Sequence, residues 1–335
     1  MERVFSMHDR ESIYTIPDEL RNEGLDREIL SILNLHDRVD VRQEDIARKQ
    51  WATFVDGLTA EKKHSVKVAI TGKYADLMDA YASIQKSLEH CGAHFRCAID
   101  LHWIDTTGIN DSTVVDQLGS YDAVIVPGGF GSRGVEGKIA AVKYCRESGT
   151  PYLGICLGFQ VAVIEFARNV LGIKDAYSTE FDPMCGSPLI SELPDQKKIE
   201  GLGGTFLAGG KQSIHERFRH RYEVEPKHID QLEAAGLIFS GRHPEQPIMQ
   251  MLELPSVSDD KDQITHPYFV GAQFHPELTS RPLTPQPMFM GLVAAAMATR
   301  YQGDETAWKD LYSSNGALRT WLYTRKNGHE KHAVK

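Results

Sequence analysis

From Val66 onward the sequence predicts an α/β domain: a central, mostly parallel β-sheet with helices on both faces. Three observations carry that expectation. Short β-rich runs alternate with helical stripes. The runs at residues 123–126 and 152–155 are apolar throughout, as expected of strands buried on both faces. Glycine-bearing turns follow both runs, Pro127-Gly128-Gly129-Phe130-Gly131 and Gly154-Ile155-Cys156-Leu157-Gly158. Sheets of this kind bind ligands beyond the carboxyl ends of their strands, which is where those turns fall.

The elements follow in order. A strand at residues 66–71 leads to a helix whose apolar stripe is Leu77, Tyr81, Ile84, Leu88 and Cys91, with Asp76 placed to cap it and Gly92 to end it. A strand at 96–104 and the buried strand at 123–126 come next. A helix then turns Val135, Ile139, Val142 and Cys145 inward. The strand at 152–155 runs straight into an apolar helix at 157–171. Further strands are expected at 219–224, 249–254 and 268–274, a polar surface loop at 256–263, and a closing helix at 288–300. Residues 1–65 differ in character: they are polar and hold two helical stretches, one at 26–33 and one that places Ala47, Trp51, Phe54, Val55 and Leu58 on a single face. The expected organisation is therefore a helical segment at 1–65, an α/β domain at 66–302 and a helix or frayed tail at 303–335.

Composition narrows the function. The chain has 335 residues, 41% hydrophobic and 25% charged, with a formal net charge of -9, so nucleic acid and acidic membrane surfaces are poor partners. No apolar run reaches the roughly 18 residues of a membrane helix. The five cysteines are scattered, with no CxxC pair, which argues against a disulfide framework and a zinc site and points to a reducing cytoplasm. No metal site is expected.

Three motifs carry chemistry. The Gly154–Gly158 turn has the form of a nucleophile elbow, in which small neighbours let a strained strand-to-helix turn present its central side chain. Cys156 would then lie at a helix amino terminus, whose dipole favours a thiolate. Free cysteine is also among the most buried residue types, so Cys156 by itself is as readily a core residue. A thiolate nucleophile needs an oriented base. Gln273-Phe274-His275-Pro276-Glu277 supplies one: Pro276 keeps His275 extended, and residues i and i+2 of an extended chain point the same way. Against this, any one of 14 histidines has a low prior. The Pro127–Gly131 turn can offer a backbone N–H which, with that of Leu157, makes a two-donor oxyanion hole. No phosphate loop of the form GxxxxGK[ST] is present.

Together these motifs resemble the class I glutamine amidotransferases, and finer strings resemble the glutaminase domains of the CTP synthase family. Among them are Asp79-Ala80-Tyr81-Ala82-Ser83, Arg133-Gly134, Ser178-Thr179-Glu180-Phe181, Arg219-His220-Arg221-Tyr222-Glu223-Val224 and Ser280-Arg281-Pro282. The resemblance covers residues 66–300. Met7-His8-Asp9-Arg10-Glu11-Ser12-Ile13-Tyr14 is similar to the end of that family's synthetase domain, which makes residues 1–65 a remnant and linker.

The resemblance implies roles. Cys156 attacks the glutamine carboxamide, Gly129 and Leu157 hold the oxyanion, His275 moves the proton and Glu277 orients His275. Gly158, Phe159, Gln160, Glu180 and Arg221 join Gly129 and Leu157 in binding glutamine; without the family, Glu180 and Arg221 read as a surface salt bridge. The released ammonia would serve ATP-dependent amination of UTP to CTP. Mg-ATP and UTP are expected only on a synthetase domain or chain, with no cofactor in this one, and GTP is expected as an effector near Phe130–Gly134. The stretch between Gly204 and Arg219 looks shorter than the family's lid. The alternatives are a stand-alone glutamine hydrolase, an amidotransferase for another acceptor, or a non-catalytic regulatory module.

Overall fold

The computed structural model describes residues 4–72, 81–129, 131–192, 204–208, 212–217, 220–243, 246–258, 260–261, 263–302 and 304. The chain divides into two units, Met1–Glu61 and Lys62–Lys335. The first holds α1 (Ile16–Asn22), α2 (Leu25–Leu33) and α3 (Val41–Thr59). Asp40 starts α3 by accepting from the backbone N–H groups of Arg42 and Gln43, which satisfies two of the helix's orphan donors. Phe54 meets Tyr14 edge-on at 5.1 Å, and the Trp51 indole donates to the Tyr14 carbonyl at 3.0 Å. This aromatic cluster is a small core of the unit's own. Ala47, expected on the buried face, is exposed.

The second unit is built on β1 (His64–Gly72), β2 (Cys97–Asp105), β3 (Ala123–Val126), β4 (Tyr152–Ile155) and β12 (Phe269–Ala272), which run parallel in the order β2-β1-β3-β4-β12. β3, β4 and β12 are buried at every position. Successive side chains point to opposite faces. Val124 and Val126 therefore pack with Val135, Val142 and Ile164 of α6 (Val135–Ser148) and α7 (Leu157–Asn169). Ile125, Leu153 and Ile155 pack on the other side with Leu88 and Phe289 of α4 (Ala82–Phe95) and α9 (Pro287–Arg300). Each fully buried aliphatic or aromatic side chain of these layers contributes about 1.5–3 kcal/mol.

Beyond β12 the sheet continues as an antiparallel wing through β11 (Met249–Leu254), β10 (Ile238–Arg242), β7 (Gly204–Ala208) and β8 (Gln212–Glu216), giving nine strands among the described residues. A second sheet orders β5 (Ala176–Ser178), β6 (Ser187–Glu192) and β9 (Tyr222–Val224). The short α5 (Val114–Leu118) and α8 (Ile229–Ala234) complete the unit.

The parallel sheet with helices on both faces is the expected architecture, and β3, β4 and β11 fall on the expected residues. Strands β5, β6, β7, β8 and β10 were not expected: they are short, polar or broken by proline, so their pairing partners rather than their own pattern hold them. Gly92 does not end α4. The helix runs to Phe95 and closes at Arg96 in the left-handed conformation (φ 49°). Gly92 is instead a close-packing residue, since a Cβ there would sit 2.9 Å from the Cys97 carbonyl oxygen. The stretch expected as a short lid holds the β7–β8 hairpin at the sheet's edge. Asp76, Leu77, Phe130, Gly209, Gly210, Arg219 and the tail from residue 305 lie outside the described residues. No helix among the described residues is long and apolar enough to cross a membrane.

Gly158 fixes how closely α7 approaches the sheet. A Cβ on it would lie 2.0 Å from the Val126 carbonyl oxygen, a contact with backbone that no rotamer relieves. Gly158→Ala should therefore destabilise the fold by about 3 kcal/mol, the upper end of ordinary overpacking. A chemical-denaturation midpoint unchanged from wild type would contradict this.

Candidate active site

Cys156 joins β4 to α7 with φ 55° and ψ -103°. A non-glycine residue rarely holds a positive φ, and such strain persists only where surrounding structure imposes it. The flanking glycines are part of that imposition. A Cβ on Gly154 would meet the Gly158 carbonyl carbon at 2.7 Å, and the buried Tyr152 hydroxyl donates to the Gly158 carbonyl at 2.8 Å. The Cys156 N–H donates to Ala272 of β12 at 2.7 Å, which ties the elbow to the strand that delivers the histidine. Leu157 is the first residue of α7, so its N–H has no intrahelical acceptor.

His275 lies just beyond β12, and its own N–H donates to the Arg217 carbonyl at 2.8 Å. Its Nδ1 is 2.7 Å from Glu277 Oε1. Gly128 joins the two halves of the site: a Cβ on it would sit 3.3 Å from His275 Cε1 and 3.4 Å from Cys156 Cβ. The loop beyond β3 therefore lies directly against nucleophile and base. That loop is held from beneath by Lys138 of α6, which is buried, donates from Nζ to the Pro127 carbonyl at 2.9 Å and would stand 3.6 Å from a Cβ on Gly129.

Burial works against a charged imidazole, but hydrogen bonds to Cys156 and Glu277 and the negative charge of both outweigh it. They lift His275 from 6.5 to about 10. The carboxylate beside Nδ1 favours the protonated ring. The remaining thiols are driven the other way: burial pushes Cys91 and Cys145 well up, Cys97 to about 12, and desolvation with the nearby Asp182 raises Cys185.

The predicted glutamine-binding residues divide into two groups. Gln160 is buried, and its Nε2 donates to the Tyr222 carbonyl at 3.1 Å and to Gln273 Oε1 at 3.2 Å, so its amide ties α7 to β9 and to the residue that follows β12. The Phe159 side chain is fully buried and packs toward Gly271 and Phe239, which leaves only its backbone to face a ligand. Arg221 is exposed, between the buried His220 and Glu223, which pair at 2.7 Å. Glu180 follows β5, with its N–H donating to Ser178 Oγ at 3.2 Å. The sequence reading missed Lys138, although a sign was present: it lies on the inward stripe of α6 with Val135, Val142 and Cys145.

Because the His275 value is raised, the pairing stabilises the fold fully below about 6.5, and that contribution is lost as pH rises through about 10. Glu277→Gln removes the negative charge beside Nδ1, so the His275 midpoint should fall by about one to three pH units. An NMR titration of the ring carbons reads this directly, and a midpoint that stays near the wild-type value would exclude the charge pairing.

Comparison with known proteins agrees with this geometry. Residues 76–295 match the family described as Glutamine amidotransferase class-I. The chain is 41% identical to the CTP synthase of Caldanaerobacter subterraneus over 91% of its length and 42% identical to that of Methanopyrus kandleri over 88%. It spans only 57% and 56% of those curated relatives' own lengths. Among solved structures, the Trypanosoma brucei CTPS glutaminase domain with bound acivicin is similar at a TM-score of 0.61 and 32% identity, over 69% of this chain and 93% of that one. The chain belongs to the class I glutamine amidotransferases, in the branch that contains the glutaminase domains of CTP synthases.

Proposed function

We propose that this chain hydrolyses L-glutamine to glutamate and ammonia, and that the ammonia is used for ATP-dependent amination of UTP to CTP on a synthetase portion. The hydrolytic half rests on one observation: a positive-φ cysteine at a helix amino terminus lies with a histidine against the same glycine, Gly128, and the histidine Nδ1 is 2.7 Å from a carboxylate. The synthetase half rests on similarity to CTP synthases. Mg-ATP and UTP belong to that portion, and GTP acts as an effector.

In the first step Cys156 Sγ attacks the carboxamide carbon, and the oxyanion accepts the N–H groups of Gly129 and Leu157. Each such donor is worth roughly 100- to 1000-fold in rate. The His275 imidazolium gives its proton to the leaving nitrogen, the C–N bond breaks, and ammonia departs from a γ-glutamyl thioester. The neutral imidazole then takes a proton from water as the oxygen attacks the thioester carbon. The C–S bond breaks, the thiolate re-forms beside the imidazolium, and glutamate leaves. Glu277 keeps Nδ1 protonated and the ring oriented throughout. Glu180 receives the substrate ammonium and Arg221 its carboxylate, as charge-assisted pairs, and the first turn of α7 from Gly158 to Gln160 forms the floor beneath the carboxamide.

A diazo-ketone analogue of glutamine should label Cys156 alone, because the other thiols are buried or raised. Cys156→Ala and His275→Ala should each lower glutaminase turnover on the order of 1000-fold or more, and the double variant little beyond either, since such groups act as a unit. Labelling that survives Cys156→Ala, or fully additive losses, would rule the assignment out. Arg221→Ala should raise KM for glutamine about tenfold with turnover within about twofold, because the carboxylate contact is made equally in ground and transition states; steady-state kinetics in which kcat falls and KM holds would remove Arg221 from substrate binding. Adding a synthetase partner with UTP and ATP, and measuring CTP, tests the destination of the ammonia.

A further inference from the structure

Behind the imidazolium lies an acid that the proposed reaction does not use. Glu216 ends β8, one residue before the carbonyl that accepts the His275 N–H. Its carboxylate reaches across to the chain that follows the histidine. Thr279 Oγ1 is 3.0 Å from Oε2 and 3.2 Å from Oε1, and Gln286 Nε2 is 3.5 Å from Oε1. The orientation of the Gln286 amide is set independently: its Oε1 caps α9 by accepting the Met288 N–H at 2.7 Å, which turns the nitrogen toward Glu216. Thr279 Oγ1 also lies 3.0 Å from the Pro276 carbonyl. The Thr279 N–H donates to the same Pro276 carbonyl at 3.1 Å, so the residue is anchored to the turn through its backbone, and its hydroxyl, with its one proton given to Glu216, ties the carboxylate to that turn. Desolvation raises the Glu216 carboxyl and the nearby Glu277 charge raises it further, opposed by the two side-chain hydrogen bonds.

We propose that Glu216 is a positioning residue for the hydrolysis: through Thr279 and Gln286 it clamps β8 onto the His275-Pro276-Glu277 turn, so that the imidazole keeps its alignment with Cys156. The inference rests on the glutaminase reading for its consequence in turnover, and on the geometry alone for its consequence at the thiol. Two attachments act together. The backbone bond from His275 to Arg217 holds the start of the turn, and the Glu216 carboxylate holds its end. Freeing the end removes the turn's side-chain tether to β8, and a misplacement of about 1 Å in a reacting group costs roughly 100-fold.

The test uses Glu216→Ala, Glu216→Gln, Thr279→Val and the Glu216→Ala/Thr279→Val double variant in the full chain. Two quantities are read: glutaminase kcat and KM, and the rate at which iodoacetamide alkylates Cys156, which requires neither glutamine nor turnover. Glu216→Ala should lower kcat roughly 10- to 100-fold with KM within about threefold, and slow alkylation in parallel. Glu216→Gln keeps an oxygen to accept from Thr279 and should retain at least about a third of wild-type kcat. Thr279→Val should reproduce the Glu216→Ala loss, and the double variant should be no worse than either single, as expected of two residues in one interaction. Rates within twofold of wild type in Glu216→Ala, additive losses in the double variant, or no recovery in a folded Glu216→Gln would each overturn the proposal. If the wild-type chain shows no glutaminase turnover, the function is wrong and the alkylation rates still decide the clamp. If Glu216→Ala does not fold, Thr279→Val carries the same comparison without removing a charge.

Discussion

The approach of α7 to the sheet at Gly158 sets the geometry of the whole site. With no side chain at that position, the first turn of the helix lies against the Val126 carbonyl, and the chain leaving β4 has too little room to enter the helix by an ordinary turn. It enters through Cys156 at positive φ instead. The thiol is thereby turned outward beyond the carboxyl ends of β3, β4 and β12, where the loop at Gly128 and the residues after β12 converge on it. The strain at one residue is sustained by backbone hydrogen bonds and buried glycine contacts on both sides, so the strain and the site are a single feature.

Electrostatics then divides the chain's thiols. Cys91, Cys97 and Cys145 are buried, and desolvation is the largest influence holding each thiol protonated. Cys156 faces an imidazolium that two hydrogen-bond partners hold well above the usual histidine range despite its burial. Glu277 supplies one negative charge behind the ring, and Glu216 lies near enough for the two carboxyls to influence each other.

The antiparallel wing reaches the histidine through the residue that follows β8. β8 passes the His275 backbone at Arg217, and the chain reaches the exposed Arg221 a few residues later.

The sequence by itself determined the parallel core and the three chemical motifs. β3 and β4 are uninterrupted apolar runs, which only strands buried on both faces tolerate, and the glycines around Cys156 report a backbone that excludes Cβ atoms. His275 and Glu277 were legible as a pair from their spacing, but the extended run expected there is a 3-10 turn over Pro276–Leu278, and it is that turn which sets the carboxylate beside the ring. The tertiary structure decided what depends on partners distant in the chain. β7 and β8 have no periodic apolar pattern, and become strands because β10 offers an edge. Gly92 carries the signature of a helix end but is small because β2 lies against it, so the helix closes later, at Arg96. Lys138 lies on the inward stripe of α6, but its partner, the Pro127 carbonyl, is supplied only by the fold. Glu216 acquires a role only when Thr279 and Gln286 arrive beside it, because local sequence specifies backbone conformation and side-chain direction, whereas hydrogen bonds across such separations exist only in the folded chain.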